Sequence, residues 1–257
     1  MSRCLQNRVG IVVPTKGERP EYFQQCIQSI RDAGDAFIIV VAPESKFAEI
    51  ESTKSDFDLI IRDQNKGLAA AINQGVMRLP EEITYFNWLG DDDLLEPKSL
   101  ASLTRTIQNG SNMVLLFGSC RYINNEGKQL WANQSGVIAS KIIRFGPCLI
   151  PQPGALIQRA AFEDVGKLNE KLGWAFDLDL FIRLKSVGNI SCISEFVSSF
   201  RWHSDSLSVR FRKNSAAEAS LVRRSYLSKP LRIISPIWER PVKFLTIHAR
   251  FLVEFKL

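Results

Sequence analysis

The feature that most constrains this 257-residue chain is a rhythm in its first half. Three short runs, Val9–Pro14, residues 37–42 and residues 59–61, are apolar at nearly every position. A strand with one wet face alternates apolar and polar residues, whereas a continuously apolar one is buried on both faces. Between these runs lie segments with helical spacing. Residues 21–33 place Phe23, Ile27 and Ile30 on one face, and residues 68–79 and 97–108 follow, the last opened by Pro97 at a position suited to a first turn. Strands alternating with helices predict an α/β fold with a Rossmann-like, mostly parallel sheet and helices on both faces.

A fourth strand-like run, residues 83–90, ends in Gly90 and is followed at once by Asp91, Asp92 and Asp93. Three adjacent like charges at the carboxyl end of a buried strand call for a counter-charge, and a hard divalent cation can supply it. Open α/β sheets bind ligands at that edge. The same triplet also suits a solvated turn that caps the next helix.

The second half is less regular. Residues 113–117 and 119–123 read as strands, and the turn Asn124-Asn125-Glu126-Gly127 leads to a hairpin partner at 129–131. The loop Pro151-Gln152-Pro153-Gly154 precedes a short strand at 155–157. A helix is expected over 177–187 with Leu180, Phe181 and Leu184 inward, a strand over 190–200 and a helix near 216–227. Pro230, Pro236 and Pro241 interrupt the next stretch, and Phe244, Ile247, Phe251 and Phe255 then recur at helical spacing.

Composition excludes several classes. Five scattered cysteines without a C-x-x-C pair argue against a zinc site or a disulfide framework and favour a reducing cytosol. The polar start predicts no signal peptide, and no apolar stretch reaches the roughly 18 residues of a membrane span. The net charge of +6 is uneven: residues 201–257 carry a net +8 and the first 200 a net −2. We therefore expect a catalytic domain over 1–210 and a basic helical extension over 211–257. The extension's apolar stripe beside Lys243, Arg250 and Lys256 predicts peripheral contact with the inner face of a membrane. Packing on the domain or on a second subunit, as in a homodimer, explains the stripe equally well. No nucleic-acid partner is expected.

Four stretches carry candidate chemistry. Pro14, Thr15 and Glu18 lie in the loop after the first strand, placed to contact a nucleotide. In Asn65-Lys66-Gly67-Leu68-Ala69-Ala70-Ala71-Ile72-Asn73, small residues let a helix lie close on the sheet, Asn65 is placed to cap it, and Lys66 with the helix start is placed to face phosphate. A tightly packed structural helix explains the alanines equally well. The aspartate triplet is the third stretch. In the fourth, Asp177 opens a helix and Asp179 sits in its first turn, as caps or as a general base.

At this point the chain resembles family 2 glycosyltransferases, inverting nucleotide-sugar enzymes of the GT-A fold. The matching residues run in order: Val12-Val13-Pro14-Thr15; Asn65, Gly67, Ala71, Asn73 and Gly75; Gly90-Asp91-Asp92-Asp93; Gln152-Pro153-Gly154 with Phe162, Val165, Gly166, Leu168 and Glu170; Asp177-x-Asp179 with Leu180, Arg183 and Leu184; and Arg201-x-His203. The resemblance covers about residues 8–210. It implies a UDP-, GDP- or dTDP-sugar donor, a glycan or lipid-linked acceptor, and Mg2+ or Mn2+ held by Asp92 and Asp91 with His203 nearby. It further implies donor contacts from Pro14, Thr15, Glu18, Asn65, Lys66, Gly67, Asn73 and Asp91, and Asp177 or alternatively Asp179 as base. Two positions depart from the pattern. Where relatives carry an acidic pair after the second strand this chain has Ala42-Pro43-Glu44, so Glu44 is the candidate for nucleobase contact. Gly90 stands where the first acid of a D-x-D is usual. The alternatives are a degenerate sugar-binding or scaffold protein and a nucleotidyltransferase, although the latter's G-x-G-x-R loop is missing from residues 12–20.

Overall fold

The first strand, β1 (Val9–Pro14), lies where the direction of strand addition reverses. A computed structural model describes residues 9–53, 56–110, 112–202, 211–242 and 244. On one side of β1 stand β2 (Ala36–Ala42) and then β3 (Leu59–Arg62); on the other stands β4 (Tyr85–Trp88), all parallel. Beyond β4 come β8 (Leu156–Gln158), β6 (Met113–Ile123), β9 (Asn189–Arg201) and the two-residue β5 (Leu94–Leu95), with β7 (Gln129–Asn133) hairpinned on β6. Strand β8 is antiparallel to both neighbours, while β6 and β9 are parallel. Six of the nine described strands therefore share one direction, as the sequence predicted.

The apolar runs are buried on both faces because helices cover both. Val9, Ile11 and Val13 pack with Phe23, Ile27 and Ile30 of α1 (Pro20–Ala33) and with Leu100 and Leu103 of α4 (Ser99–Asn109). Val12, Ile39 and Val41 face the opposite layer, with Ile72 and Val76 of α3 (Leu68–Val76) and the apolar residues of α7 (Phe176–Val187). Each fully buried Val or Ile contributes about 1.5–3 kcal/mol. Gly75 sets the spacing of the second layer, since a Cβ there would lie 2.4 Å from Val12 Cγ1. Any larger residue would push α3 off β1.

The structure adds to the sequence reading in places. Residues 113–117 and 119–123 form one strand with irregular register at Gly118, where a Cβ would lie 2.5 Å from Val197 Cγ1. Four short helices were not anticipated: α2 (Glu44–Ser52), α5 (Gly136–Ile142), α6 (Arg159–Asp164) and α9 (Lys229–Ile234). The expected helix near 216–227 is α8 (Arg212–Ser225), and its Val222 joins the core layer of α7. Most of the aromatic stripe of the tail, like His203, lies outside the described residues.

Candidate active site

The crevice between the carboxyl ends of β1 and β4 is the switch point of the sheet. There Thr15 Oγ1 donates to Asp91 Oδ2 at 2.6 Å and is itself held by the Gly17 amide at 2.9 Å. Arg19 bridges the acids: Nη1 donates to Asp92 Oδ2 at 2.6 Å and Nη2 to Asp91 Oδ1 at 3.1 Å. Burial raises the Asp91 pKa, against the pull of Thr15 and Arg19. Burial works against the Arg19 charge, but Asp92 and Asp91 outweigh it and raise the guanidinium's pKa. The counter-charge that the triplet calls for is thus a guanidinium from the facing loop.

Asp93 serves a different purpose. Buried, its carboxyl is pushed well up by desolvation and by Asp92, and it accepts the Arg201 amide at 3.0 Å. The fully buried Arg201 ties the neighbourhood together. Its guanidinium donates to the Asp92, Asn124 and Asn125 carbonyls and to Gln25 Oε1, and stacks 4.3 Å over Tyr22. One side chain therefore fixes α1, the acidic loop and the β6–β7 turn relative to one another.

The loops after β2 and β3 open at the same edge. Glu44, the first residue of α2, is exposed and ion-paired with Arg62 at 2.6 Å. Asn65 takes a left-handed φ of 57° and Gly67 one of 101°, which leaves Lys66 exposed just before α3. Glu18 is exposed and Pro14 half-buried beside Thr15. Asn73 differs from its expected role as a donor contact. Its Nδ2 donates to the Leu168 carbonyl and to Glu170 Oε1, and its Oδ1 accepts the Leu168 amide. The buried carboxamide is already satisfied, so Asn73 clamps α3 to the loop before α7.

The other side of the crevice comes from α7. Phe176 packs on Trp88 of β4, with ring centroids 6.4 Å apart, which brings the first turn of α7 to the β4 end. Gln152 Nε2 donates to the Trp88 carbonyl at 2.6 Å, and Asn87 holds the Gln152 and Ala155 carbonyls, so the Gln152-Pro153-Gly154 loop is seated on the same strand. The Asp177 carboxyl accepts the amide of its neighbour Leu178 at 2.7 Å, and burial pushes it up to about 6. Asp179 is fully committed: Oδ2 accepts Arg183 at 2.6 and 3.0 Å, and Oδ1 accepts the Tyr226 hydroxyl at 2.7 Å.

Sequence reasoning assigned no role to Arg19, Glu218 or Tyr226. A cation two residues beyond Gly17, in a loop expected to face three acids, was a usable signal for Arg19. Nothing local marks the other two.

A model of glycosyl transferase family 2 matches residues 10–166. The chain belongs to that family. Membership sets aside the nucleotidyltransferase alternative, and the expected GT-A architecture holds. S. aureus TarS 1–349 in complex with UDP-GlcNAc matches with a TM-score of 0.63 at 14% identity, over 95% of this chain and 73% of that one. The mannosyltransferase PcManGT from Pyrobaculum calidifontis, with GDP-Man and Mn2+, matches with a TM-score of 0.60 at 14% identity, over 94% and 74% of the two chains. GalNAc-T7 with UDP, GalNAc and Mn2+ gives 0.56 at 14% identity, over 76% and 44%. At these identities the likeness is one of fold. No match was found among curated proteins.

Among the described residues, no group of three or more His, Cys, Asp or Glu is arranged to hold a metal. Asp91 and Asp92 nevertheless present two hard carboxylates already drawn to one cation. Mg2+ and Mn2+ are commonly held by one or two carboxylates with water and phosphate completing the shell, so these residues fit such an ion.

Proposed function

We propose that this glycosyltransferase is an inverting enzyme that moves a sugar from a nucleoside diphosphate to an acceptor hydroxyl of a glycan or lipid-linked glycan. The observation that supports this reading is an acid pair held by Thr15 and Arg19 just past the end of β4, together with the packing of α7, whose second residue Asp177 is raised to about 6, on Trp88 of that strand. Thr15, Asp91 and the exposed Asn65-Lys66-Gly67 segment form the donor side. Lys66 offers its ammonium to phosphate, and Glu44 stands at the outer end where a nucleobase would lie. Asp92 and Asp91 would hold Mg2+ or Mn2+, which when bound supplies positive charge to the departing diphosphate.

Asp177 receives the proton of the acceptor hydroxyl. The hydroxyl oxygen bonds to the anomeric carbon as the bond from that carbon to the diphosphate oxygen breaks. Attack from the face opposite the leaving group inverts the centre. Asp179 is ill-suited to the role because both its oxygens are engaged, so it steadies the first turn of α7 through Arg183 and Tyr226.

The test is nucleoside diphosphate release from a panel of UDP-, GDP- and dTDP-sugars with Mn2+ or Mg2+. Release with one donor, stimulated by metal and acceptor, supports the reading. No release and no donor binding across the panel sinks it.

No described helix is long and apolar enough to cross a membrane. Exposed Ile233, Ile237 and Phe244, at 78%, 76% and 60%, lie among Lys229 and Arg240 near the chain end. This supports peripheral contact with an anionic lipid surface. Sedimentation with phosphatidylglycerol vesicles should fall when Ile233 and Ile237 become Ser; equal pelleting argues for packing against protein instead.

A further inference from the structure

The clearest feature that the proposed function leaves unused is Glu218, on α8, beyond the residues that the family model matches. Its carboxylate accepts three consecutive backbone amides: Gly173 on Oε1 at 3.0 Å, and Trp174 and Ala175 on Oε2, each at 2.7 Å. These are the last residues before α7, and Asp177 is the second residue of that helix. The residue that precedes the helix, Ala175, supplies no capping side chain. The anion that holds its entry segment thus comes from another helix.

We propose that Glu218 is a positioning residue for Asp177: it fixes the 173–175 segment and keeps a negative charge beside the base. The inference rests on Asp177 being the base. Charged hydrogen bonds to backbone amides are short and strong, and three converging on one carboxylate leave the loop a single placement. The side chain is also anchored from behind, since α8 is seated on α7 through the buried Val222. Without Glu218 the three amides lose their acceptor, and the peptide leading into Asp177 is free to rotate.

The charge acts in the same direction as the geometry. Burial is the main cause of the raised Asp177 pKa; the Leu178 amide and the Asp177 amide lower it, and the charge of Glu218 from α8 adds a smaller upward push. Asp177 in turn raises the Cys148 thiol from the segment before β8, on which Arg223 of α8 acts in the opposite sense. Asp179 and Arg183, one turn along α7, are paired with each other. Glu218 is the one acid among these that faces the base from a different helix. A nearby negative charge makes the carboxylate a stronger proton acceptor, and a displacement of about 1 Å in a reacting group can cost roughly 100-fold in rate.

The experiment compares the full-length protein with Glu218→Gln, which keeps the shape and removes the charge, and with Tyr226→Phe, which touches Asp179 instead. Two readouts are taken: the carbon-13 titration of the Asp177 carboxyl and steady-state kinetics across pH. Glu218→Gln is expected to lower the Asp177 midpoint below about 6 and to cut kcat by about tenfold or more, with donor KM unchanged. Tyr226→Phe should leave the midpoint in place. Should Glu218→Gln leave both midpoint and kcat unchanged, or should both variants shift the midpoint alike, the positioning role is wrong. The titration requires no turnover, so it tests Glu218 even if Asp177→Asn later shows that another group is the base.

Discussion

The two sides of the crevice hold their carboxylates with different partners. At the β1–β4 edge, Asp91 and Asp92 are bridged by Arg19 at 3.1 and 2.6 Å, and Thr15 adds a hydrogen bond to Asp91. On α7, Asp177 is held up at about 6 by burial, with the added negative charge of Glu218. Burial raises the Asp91 pKa as well, and there the Thr15 hydroxyl and the Arg19 guanidinium pull against it. A group that takes a proton works best with a pKa near the working pH, which burial provides. The contrast fits the proposed roles, with a guanidinium-bridged acid pair on the donor side and a titrating base on the other.

The strongest way to break this division is Asp177→Asn. The amide preserves volume but cannot accept a proton, so kcat should fall by roughly 10²–10⁴ while donor affinity is unchanged. The pH profile sharpens the same point. Because the folded carboxyl is raised, it is protonated below about 6 and inactive as a base. Activity should rise with pH through about 6 and flatten above it. Stability runs the other way: the protonated form is favoured by the fold, so that contribution is present below the ordinary aspartate range and lost as pH rises through about 6. A full loss of donor binding in Asp177→Asn would place Asp177 on the donor side and collapse the division.

Asn73→Ala asks whether the edge and the wall are joined as the hydrogen bonds indicate. The carboxamide makes three buried bonds to the Leu168 and Glu170 region, and their loss should cost about 2–3 kcal/mol. A fall in Tm of roughly 4–12 °C follows from the size of the chain. Donor KM at a temperature where the variant is folded should change little. A large KM effect with an unchanged Tm would restore Asn73 to the role of ligand contact that the family resemblance implied.

Legibility in the sequence follows the same divide. The donor edge could be read because β1 and β4 each end in a polar loop, so strand, turn and functional residue sit within about ten positions of one another. The β6–β9 half could be read only in part. A three-residue apolar run such as Ala155-Leu156-Ile157 carries no sign that it inserts antiparallel between β4 and β6. The helices α5, α6 and α9, of seven, six and six residues, are too short for periodicity to declare them. Glu218 reaches its amides across 43 to 45 residues, and no spacing rule spans such a gap. The triplet itself was legible as an acid cluster but not in its partition: Asp91 and Asp92 face Arg19, while Asp93 turns inward to the end of β9.

That partition leads to the smallest and most specific effect. Arg19 holds the oxygens that the proposed divalent ion would use, so on that proposal the guanidinium and the ion would compete in the donor-free protein. Arg19 is about one-third exposed, and such ion pairs contribute on the order of 1 kcal/mol. Arg19→Gln should therefore tighten Mn2+ binding in the absence of nucleotide by about five- to tenfold, as measured by paramagnetic titration. Donor binding should weaken or stay level, because the variant gives up one positive charge at the diphosphate side. Weaker Mn2+ binding in Arg19→Gln would mean instead that the guanidinium organises the acid pair for the ion. The donor edge would then resemble the α7 wall, a site whose carboxylates must be held in place by a neighbour before they can work.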